Sequence, residues 1–519
     1  MSQPRRALLA GSVGNFIEWY EFGVYGYFAT IIAGTFFTPT GGSPSEGLIR
    51  TYASFAVAFF FRPVGSLLFG RLADRVGRRP TLIAVLLLMT GATTLIGLLP
   101  GYATLGPAAP WLLTAVRAVQ GLSAGGEFGG AVSLLTESAP PGRRGLYGAW
   151  QSFTVALGLL AGAGLAALLA TVLSPAALAD WGWRLPFLLT LPLGLVALWL
   201  RLRLEETPAF RRAREPSGSV AVRGPRPAEA APAETAPAET APAETAVSET
   251  AVSETAPTET AVSETAPSAV ADERTTRALA PPGAPGARRK RAAGPSPRPP
   301  SAPVEPVVME PPLPAARQEP TLRPAVVIAL AVGRVMGWSA AGYTFLVVLP
   351  SYLQATLDAT FQQALIATTL ANLGFALTIL PAGALSDRVG RRTVMLTGAL
   401  LVTVLAFPLL HVVQDPEAGT AARSLAVLLA GAAVGLMAGP GPAMLAEMFP
   451  TGVRCTGLGL AYALSNAVFS GSAGLIVTEL TERTHEVDIP AYYAAGTCAV
   501  SVLALLTLRG DDHRRPLRD

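Results

Sequence analysis

Apolar runs long enough to cross a lipid bilayer recur along the whole chain, and no other feature limits its fold so strongly. A helix rises ~1.5 Å per residue, so about 20 residues span a ~30 Å hydrocarbon core. Twelve runs fit, at about 7–38, 52–72, 80–100, 110–137, 145–173, 184–202, 324–353, 361–384, 392–412, 422–449, 455–478 and 490–508. They are continuous rather than alternating, which argues against a membrane β-barrel. Of the 519 residues, 51% are hydrophobic and 14% charged, and the mean hydropathy is +0.44. An all-α membrane protein is the expected class. Stretches such as LGLLAGAGLAALLA, 157–170, supply the small residues that let membrane helices approach closely.

The placement of charge sets an expected orientation. One set of loops carries Arg5 and Arg6, Arg71, Arg75, Arg78 and Arg79, Arg143 and Arg144, Arg388, Arg391 and Arg392, Arg454 and an Arg-rich tail. The other set carries Glu46, Asp180, Asp358, Asp415 and TELTERTHEVD. Basic loops stay in the cytoplasm, so both termini are expected there. The basic excess is then a topology signal, and nucleic acid is not an expected partner. Cys455 and Cys498 offer neither a disulfide framework nor metal-ligand spacing. The first apolar run is read as a retained helix, since it continues into Glu18 and Trp19 without a cleavage site.

Composition breaks once. From 205 to 323 the chain is Pro-rich and built on PAETAPAETAPAETAVSET repeats, followed by the basic cluster Arg288, Arg289, Lys290 and Arg291. Such a segment buries too little apolar surface to offset chain entropy, so a disordered cytoplasmic linker is expected. It divides a six-helix bundle, 1–204, from a second, 324–509, with a cytoplasmic tail at 510–519. The two bundles echo each other: GRLADRVGRR at 70–79 returns as GALSDRVGRR at 383–392, and Glu137, Pro140 and Arg144 return as Glu447, Pro450 and Arg454. Parallel six-helix repeats are the layout of one large class of transporters, with the solute bound between the halves.

The duplicated G-x-x-x-D-R-x-G-R-R loop resembles the signature of the major facilitator superfamily. EWYEF, FRPVGSLLFGRLADRVGRR, RAVQGLSAGGEFGGA, GWRLPF and EMFPTGVRCTG, in this order, resemble its metabolite:proton symporter family, which includes 2-oxoglutarate, shikimate, citrate and proline/betaine permeases. The resemblance covers the chain outside the linker. This sequence has Glu21 and Leu185 where that family usually has Asp and Ile. The resemblance implies a monomeric secondary carrier in a bacterial cell membrane, driven by the proton gradient with no cofactor and no metal. Arg117, with Gln120 and Gly121, resembles the superfamily's helix-four motif.

Four charges on four runs fall at similar depth. Counted from the nearest cytoplasmic charge, Glu18 and Arg62 lie about 18 Å in, Arg334 about 16 Å and Glu127 about 15 Å. Each costs roughly 2.5–3.5 kcal/mol at a helix centre, so they are expected to face one another or a wet cavity. Glu18, Glu21, Phe22 and Tyr25 follow the i, i+3, i+4, i+7 spacing of one helix face. Burial favours a neutral carboxyl and a neighbouring arginine a charged one, so Glu18, Glu21 and Glu127 are candidates for proton coupling; a fixed ion pair is the alternative. Arg62 is the preferred substrate contact, because a guanidinium grips a carboxylate with two parallel hydrogen bonds. Arg117 ranks lower, since it lies near a helix end where it could snorkel to the interface. Tyr25, Gln120, Gln151, Arg334, Trp338, Tyr343, Asn372 and Asn466 are further cavity candidates, with helix-to-helix glue as the alternative.

The repeated loops suggest a latch. Asp74, Arg75, Arg78, Arg79, Glu137 and Arg144, with Asp387, Arg388, Arg391, Arg392, Glu447 and Arg454, are expected to hold helix ends together while one side is shut. Asp74 is expected opposite Arg144, and Asp387 opposite Arg454. The leading reading is proton-coupled symport of a small charged metabolite by alternating access, with mono- or dicarboxylates favoured and zwitterionic osmolytes next. A drug/proton antiporter or a carrier-derived sensor is the alternative. An enzyme is not expected: the sequence offers no His pair for a metal, and GGEFGG lacks the lysine of a phosphate-binding loop.

Overall fold

The computed structural model describes residues 3–38, 42–76, 78–202 and 324–509, with 514 and 517. The expected linker, 205–323, and most of the tail, 510–519, lie outside the described residues, as do the side chains of Asp74, Arg75, Arg78 and Arg79. All the described residues belong to one compact unit.

The first half runs through α1 (Gln3–Tyr27), α2 (Pro44–Val76), α3 (Arg78–Leu98), α4 (Ala108–Ala124), α5 (Phe128–Glu137), α6 (Arg144–Val172) and α7 (Arg184–Leu202). The second half holds α8 (Pro324–Tyr343), α9 (Leu349–Leu357), α10 (Phe361–Val389), α11 (Arg391–Gln414), α12 (Thr420–Ala438), α13 (Gly441–Met448), α14 (Arg454–Ser465), α15 (Ala473–Thr484) and α16 (Ile489–Leu506). Wider π-helical turns, Thr344–Val348 and Asn466–Ser470, join α8 to α9 and follow α14.

Local sequence accounts for the punctuation. Gly125 and Gly126 interrupt the fourth apolar run, and Gly439 with Pro440 interrupts the tenth at the matching place in the repeat. Thr360 and Gln363 form a reciprocal capping box at the start of α10. Gly390, at φ 97°, makes the turn from α10 to α11 in a backbone region that side chains avoid.

Ten helical stretches among the described residues are long and apolar enough to cross a membrane. The runs at 7–38 and 110–137 do not meet that measure. The first carries Glu18 and Glu21, and the second is broken beside Glu127.

The halves meet through small residues. A side chain at Gly145 would strike Gly383, Ser386 and Arg391, one at Gly148 would crowd Ala443, and one at Gly129 would run into the Cys455 backbone. Near the opposite end, Tyr52 Oη and Ser351 Oγ lie 2.6 Å apart, Thr30 donates to Gln354 (3.1 Å), and Phe28 meets Phe361 at 5.6 Å. The halves therefore close on each other above and below their centre.

Candidate functional site

Between those two closures lie two small cavities that share a wall. Asn15, Glu18, Trp19, Arg62, Ala124, Gly125, Phe128, Gly459, Tyr462 and Ala463 line one. Trp19 and Tyr462 also line the other, together with Trp338, Ser339, Tyr343, Phe375, Asn466 and Ser470. One cavity therefore holds an ion pair, and the other is walled by aromatic rings and small hydroxyls.

Arg62 is the centre of the first. Its Nη2 lies 3.1 Å from Glu18 Oε1, and both side chains are about 95% buried. Its guanidinium carbon sits 4.3 Å from the Phe22 ring centroid, 4.4 Å from that of Phe59 and 5.4 Å from that of Trp19. These rings attract the cation through their faces and hold it in plane. Arg62 Nε has no hydrogen-bond partner, and neither has the buried Tyr343 hydroxyl. Unmade hydrogen bonds in a buried site cost about 1–3 kcal/mol each, which a polar solute would recover.

The remaining acids are held differently. Glu21 faces α3, where Thr93 Oγ1 donates to its Oε2 at 2.6 Å. Gln120 Nε2 donates to the same threonine hydroxyl at 2.6 Å, and Arg117 donates to Gln120 Oε1. Arg117 does not snorkel: it is fully buried, 4.1 Å from the Tyr25 ring centroid and 4.9 Å from those of Phe22 and Phe55. The aromatic face of α1 captures it before it can reach the interface. Glu127 pairs at 2.5 Å with Arg201, a residue the sequence reading passed over as the end of an apolar helix. The motif LWLRLRLEE gives little signal, since arginines near a helix end usually reach solvent.

Several candidates lie away from both cavities. Tyr25 Oη is 2.5 Å from Ser54 Oγ, Gln151 donates to Asn15 (3.3 Å), and Asn372 donates to Leu346 O (3.0 Å) and Thr368 O (2.9 Å). Arg334 does not join Glu18, Arg62 and Glu127 as its depth suggested. It donates to Thr507 Oγ1 (2.9 Å) and Ala504 O (3.4 Å), because the open carbonyls at the end of α16 attract a cation. Asn466 and Tyr343 do line a cavity. Trp19, Phe128 and Tyr462 do too, and were missed because apolar aromatics in a membrane helix look like ordinary filling.

The duplicated loops form a cross-half network in which Asp387 and Arg454 have partners other than each other; the expected pairing of Asp74 with Arg144 rests on a side chain outside the described residues. Asp387 accepts from Gly145 N (2.7 Å) and Leu146 N (2.9 Å), capping α6 of the other half, and from Arg391 (2.8 Å). Arg391 also reaches Glu447 at 3.1 Å, and Arg144 lies 3.6 Å from the same carboxylate. Arg454 pairs with Glu137 (2.6 Å) rather than with Asp387, while its Nε donates to Ala446 O and Phe449 O. The free amides at the start of α6 outcompete Arg454 for Asp387, because a helix N-terminus offers two aligned donors. Arg388 is exposed and Arg392 half-buried, with no contact to this network among the described residues.

A membrane helix bundle made of two repeated halves, closed around a charged central site, is a carrier in its architecture. Comparison with known proteins agrees. Residues 7–218 match the family described as "Sugar (and other) transporter", and residues 326–519 match "Major Facilitator Superfamily". The citrate-proton symporter of Klebsiella pneumoniae is 30% identical over 96% of this chain and 90% of its own. The proline/betaine transporter of Escherichia coli K12 is 29% identical over 99% of this chain and 85% of its own. The crystal structure of a D-xylose-proton symporter superposes with a TM-score of 0.63, covering 97% of each chain at 17% identity. The chain belongs to the major facilitator superfamily, among its metabolite:proton symporters. It is a multi-pass secondary active transporter, not an enzyme.

Proposed function

We propose that the protein carries a small carboxylate-bearing zwitterion of the proline or betaine kind into the cell together with protons. The observation that carries this reading is Arg62, the one arginine among the described residues in the lining of either cavity, beside a wall of Trp19, Trp338, Tyr343 and Tyr462. Arg62 suits one carboxylate, and ring faces suit an alkylated ammonium. A dicarboxylate would call for a second cation, and Arg117 and Arg334 both lie elsewhere. The likeness to a citrate-proton symporter keeps a polycarboxylate as the second reading. In the proposed cycle a proton on Glu18 releases Arg62 to the substrate. Glu21 and Glu127 are secondary proton candidates, each already engaged by its own partners.

The wider setting is part of the same proposal: twelve spanning helices, both termini and the 205–323 linker in the cytoplasm, a bacterial cell membrane and a monomeric carrier. The cross-half network then closes the cytoplasmic side and must open for release. Uptake of labelled proline, glycine betaine and citrate into proteoliposomes under an imposed pH gradient tests it. Accumulation of a zwitterion that collapses with the gradient is expected; accumulation of citrate alone would reverse the order of substrates. Uptake of all three without dependence on the gradient would remove the coupling.

A further inference from the structure

We infer that Arg201 is a positioning residue of the carrier: it holds Glu127 so that this carboxylate does not compete with substrate for Arg62. The inference rests on the reading of Arg62 as the substrate's carboxylate contact. Arg201 Nη2 lies 2.5 Å from Glu127 Oε1, and the two side chains are 3% and 4% exposed. Arg201 Nη1 donates to Leu82 O on α3 at 2.6 Å, so the guanidinium is fixed at two points. On the α1 side Gly14 leaves the space for this pair; a side chain there would strike both the Arg201 guanidinium and the Glu127 carboxylate.

Glu127 is close to the site without lining it. It ends the α4–α5 break, between Gly125, which lies on the Arg62 backbone, and Phe128; both neighbours line the cavity that Glu18 and Arg62 share. Gly14, against which the Arg201–Glu127 pair lies, is one α1 turn from Glu18, which holds Arg62. The charged groups around this cluster are Glu18, Arg62, Glu127 and Arg201, from α1, α2, the α4–α5 break and α7, with Glu21 and Arg117 beyond them, engaged by Thr93 and Gln120. Asn15, beside them, is occupied with Gln151 O (3.1 Å) and Thr154 (2.6 Å) and offers no charge. When Glu18 is neutral, Arg62 must find a new anion. Without Arg201, the Glu127 carboxylate is left beside this cavity without its cation and would compete for Arg62; with Arg201 in place, that competitor is removed.

A role in holding α7 to α3 alone would make different predictions. The test measures saturation kinetics in proteoliposomes, normalised to folded carrier, using whichever of labelled proline, glycine betaine or citrate the wild type accumulates best. Arg201→Gln is expected to raise KM about tenfold or more with kcat within about threefold, and the double variant Glu127→Gln with Arg201→Gln to bring KM back within about twofold. An unchanged KM in Arg201→Gln, or a double variant no better than the single one, overturns the inference. If Arg201→Gln does not fold, Arg201→Lys and the double variant carry the test. Near-native KM in both supports the inference, and a raised KM in the double variant overturns it. Arg62→Gln is the separate control: a native KM there defeats the reading of Arg62 itself, whatever Arg201 does.

Discussion

The two halves share their loops but not their interiors. At the loop end each half contributes an acid and an arginine from the same repeated motif, Glu137 and Arg144 against Glu447 and Arg454, and the pairs cross the seam in both directions. At mid-depth the symmetry is lost. Glu18, Glu21, Arg62, Arg117, Glu127 and Arg201 all belong to the first half, while the second half offers Ser339, Tyr343, Tyr462, Asn466 and Ser470 to the cavities and turns Arg334 toward the end of α16. A gate of the kind proposed would engage both halves alike, as the loops do. A solute with two unlike ends, as proposed, would call for unlike interiors: one half holds charge, the other aromatic and hydroxyl surface.

The largest effects should come from breaking the charged side of that division. Arg62→Gln removes a charge-assisted pair of hydrogen bonds to substrate, each worth about 1.5–3 kcal/mol, so uptake should fall by about 100-fold or more at fixed substrate. Glu18→Gln should leave substrate binding measurable by tryptophan fluorescence, since Trp19 lies beside the site, while gradient-driven accumulation is lost. Accumulation against a gradient in Glu18→Gln would take the proton away from this residue.

Next in size is the shared gate. Arg454 is 99% buried and Glu137 42% exposed at the side chain, so the two ends of their pair are unequal. Arg454→Gln takes a donor from the Ala446 and Phe449 carbonyls, at about 1–3 kcal/mol for a buried group left unmade, while Glu137 can turn to solvent, and should loosen the seam. Cys455, the partly buried neighbour at the start of α14, is a native reporter: its labelling by a thiol reagent should quicken about tenfold or more in Arg454→Gln and less in Glu137→Gln. Equal labelling in all three proteins would mean that this seam does not hold the closed state.

The aromatic side of the division should give smaller, substrate-dependent effects. Trp338→Ala and Tyr462→Phe separate ring from hydroxyl. A ring face is worth about 0.5–2 kcal/mol to a bound cation, so Trp338→Ala should raise KM for a zwitterion about 2- to 30-fold and leave KM for citrate less changed. Tyr462→Phe keeps the ring stacked 3.5 Å from Phe128 and should leave both values close to native.

Much of this was legible from the residues. The ten apolar stretches, the repeat, and the proximity of Glu18 to Arg62 follow from run length and depth counting, because charges in hydrocarbon must meet. Depth failed for Arg334, since equal depth says nothing about the direction a side chain takes around its helix. Arg201 gave no such signal: an arginine near a helix end is ordinarily solvated, and here the space beside Gly14, Glu127 and the Leu82 carbonyl receives it inside. The partner of Asp387 was misread because pairing by charge pointed to Arg454, whereas the free amides of α6 are a stronger attraction for Asp387.

The smallest effect separates two arginines of one motif. Arg388 and Arg391 stand three residues apart in the repeated loop sequence, and the sequence alone gives them equal standing. Arg391 is 98% buried and is shared among Ser386 (2.8 Å), Asp387 (2.8 Å) and Glu447 (3.1 Å). Arg388 is exposed. Solvated charges contribute about 0–1 kcal/mol, and a buried partner that loses its mate costs several times more. Arg388→Gln should therefore change uptake and Cys455 labelling by no more than about twofold, whereas Arg391→Gln should behave like Arg454→Gln, because it takes a partner from Glu447 and Asp387 together. Comparable defects in the two variants would show that the motif acts through the charge it presents at the membrane surface, and the cross-half network would lose its claim to be the gate.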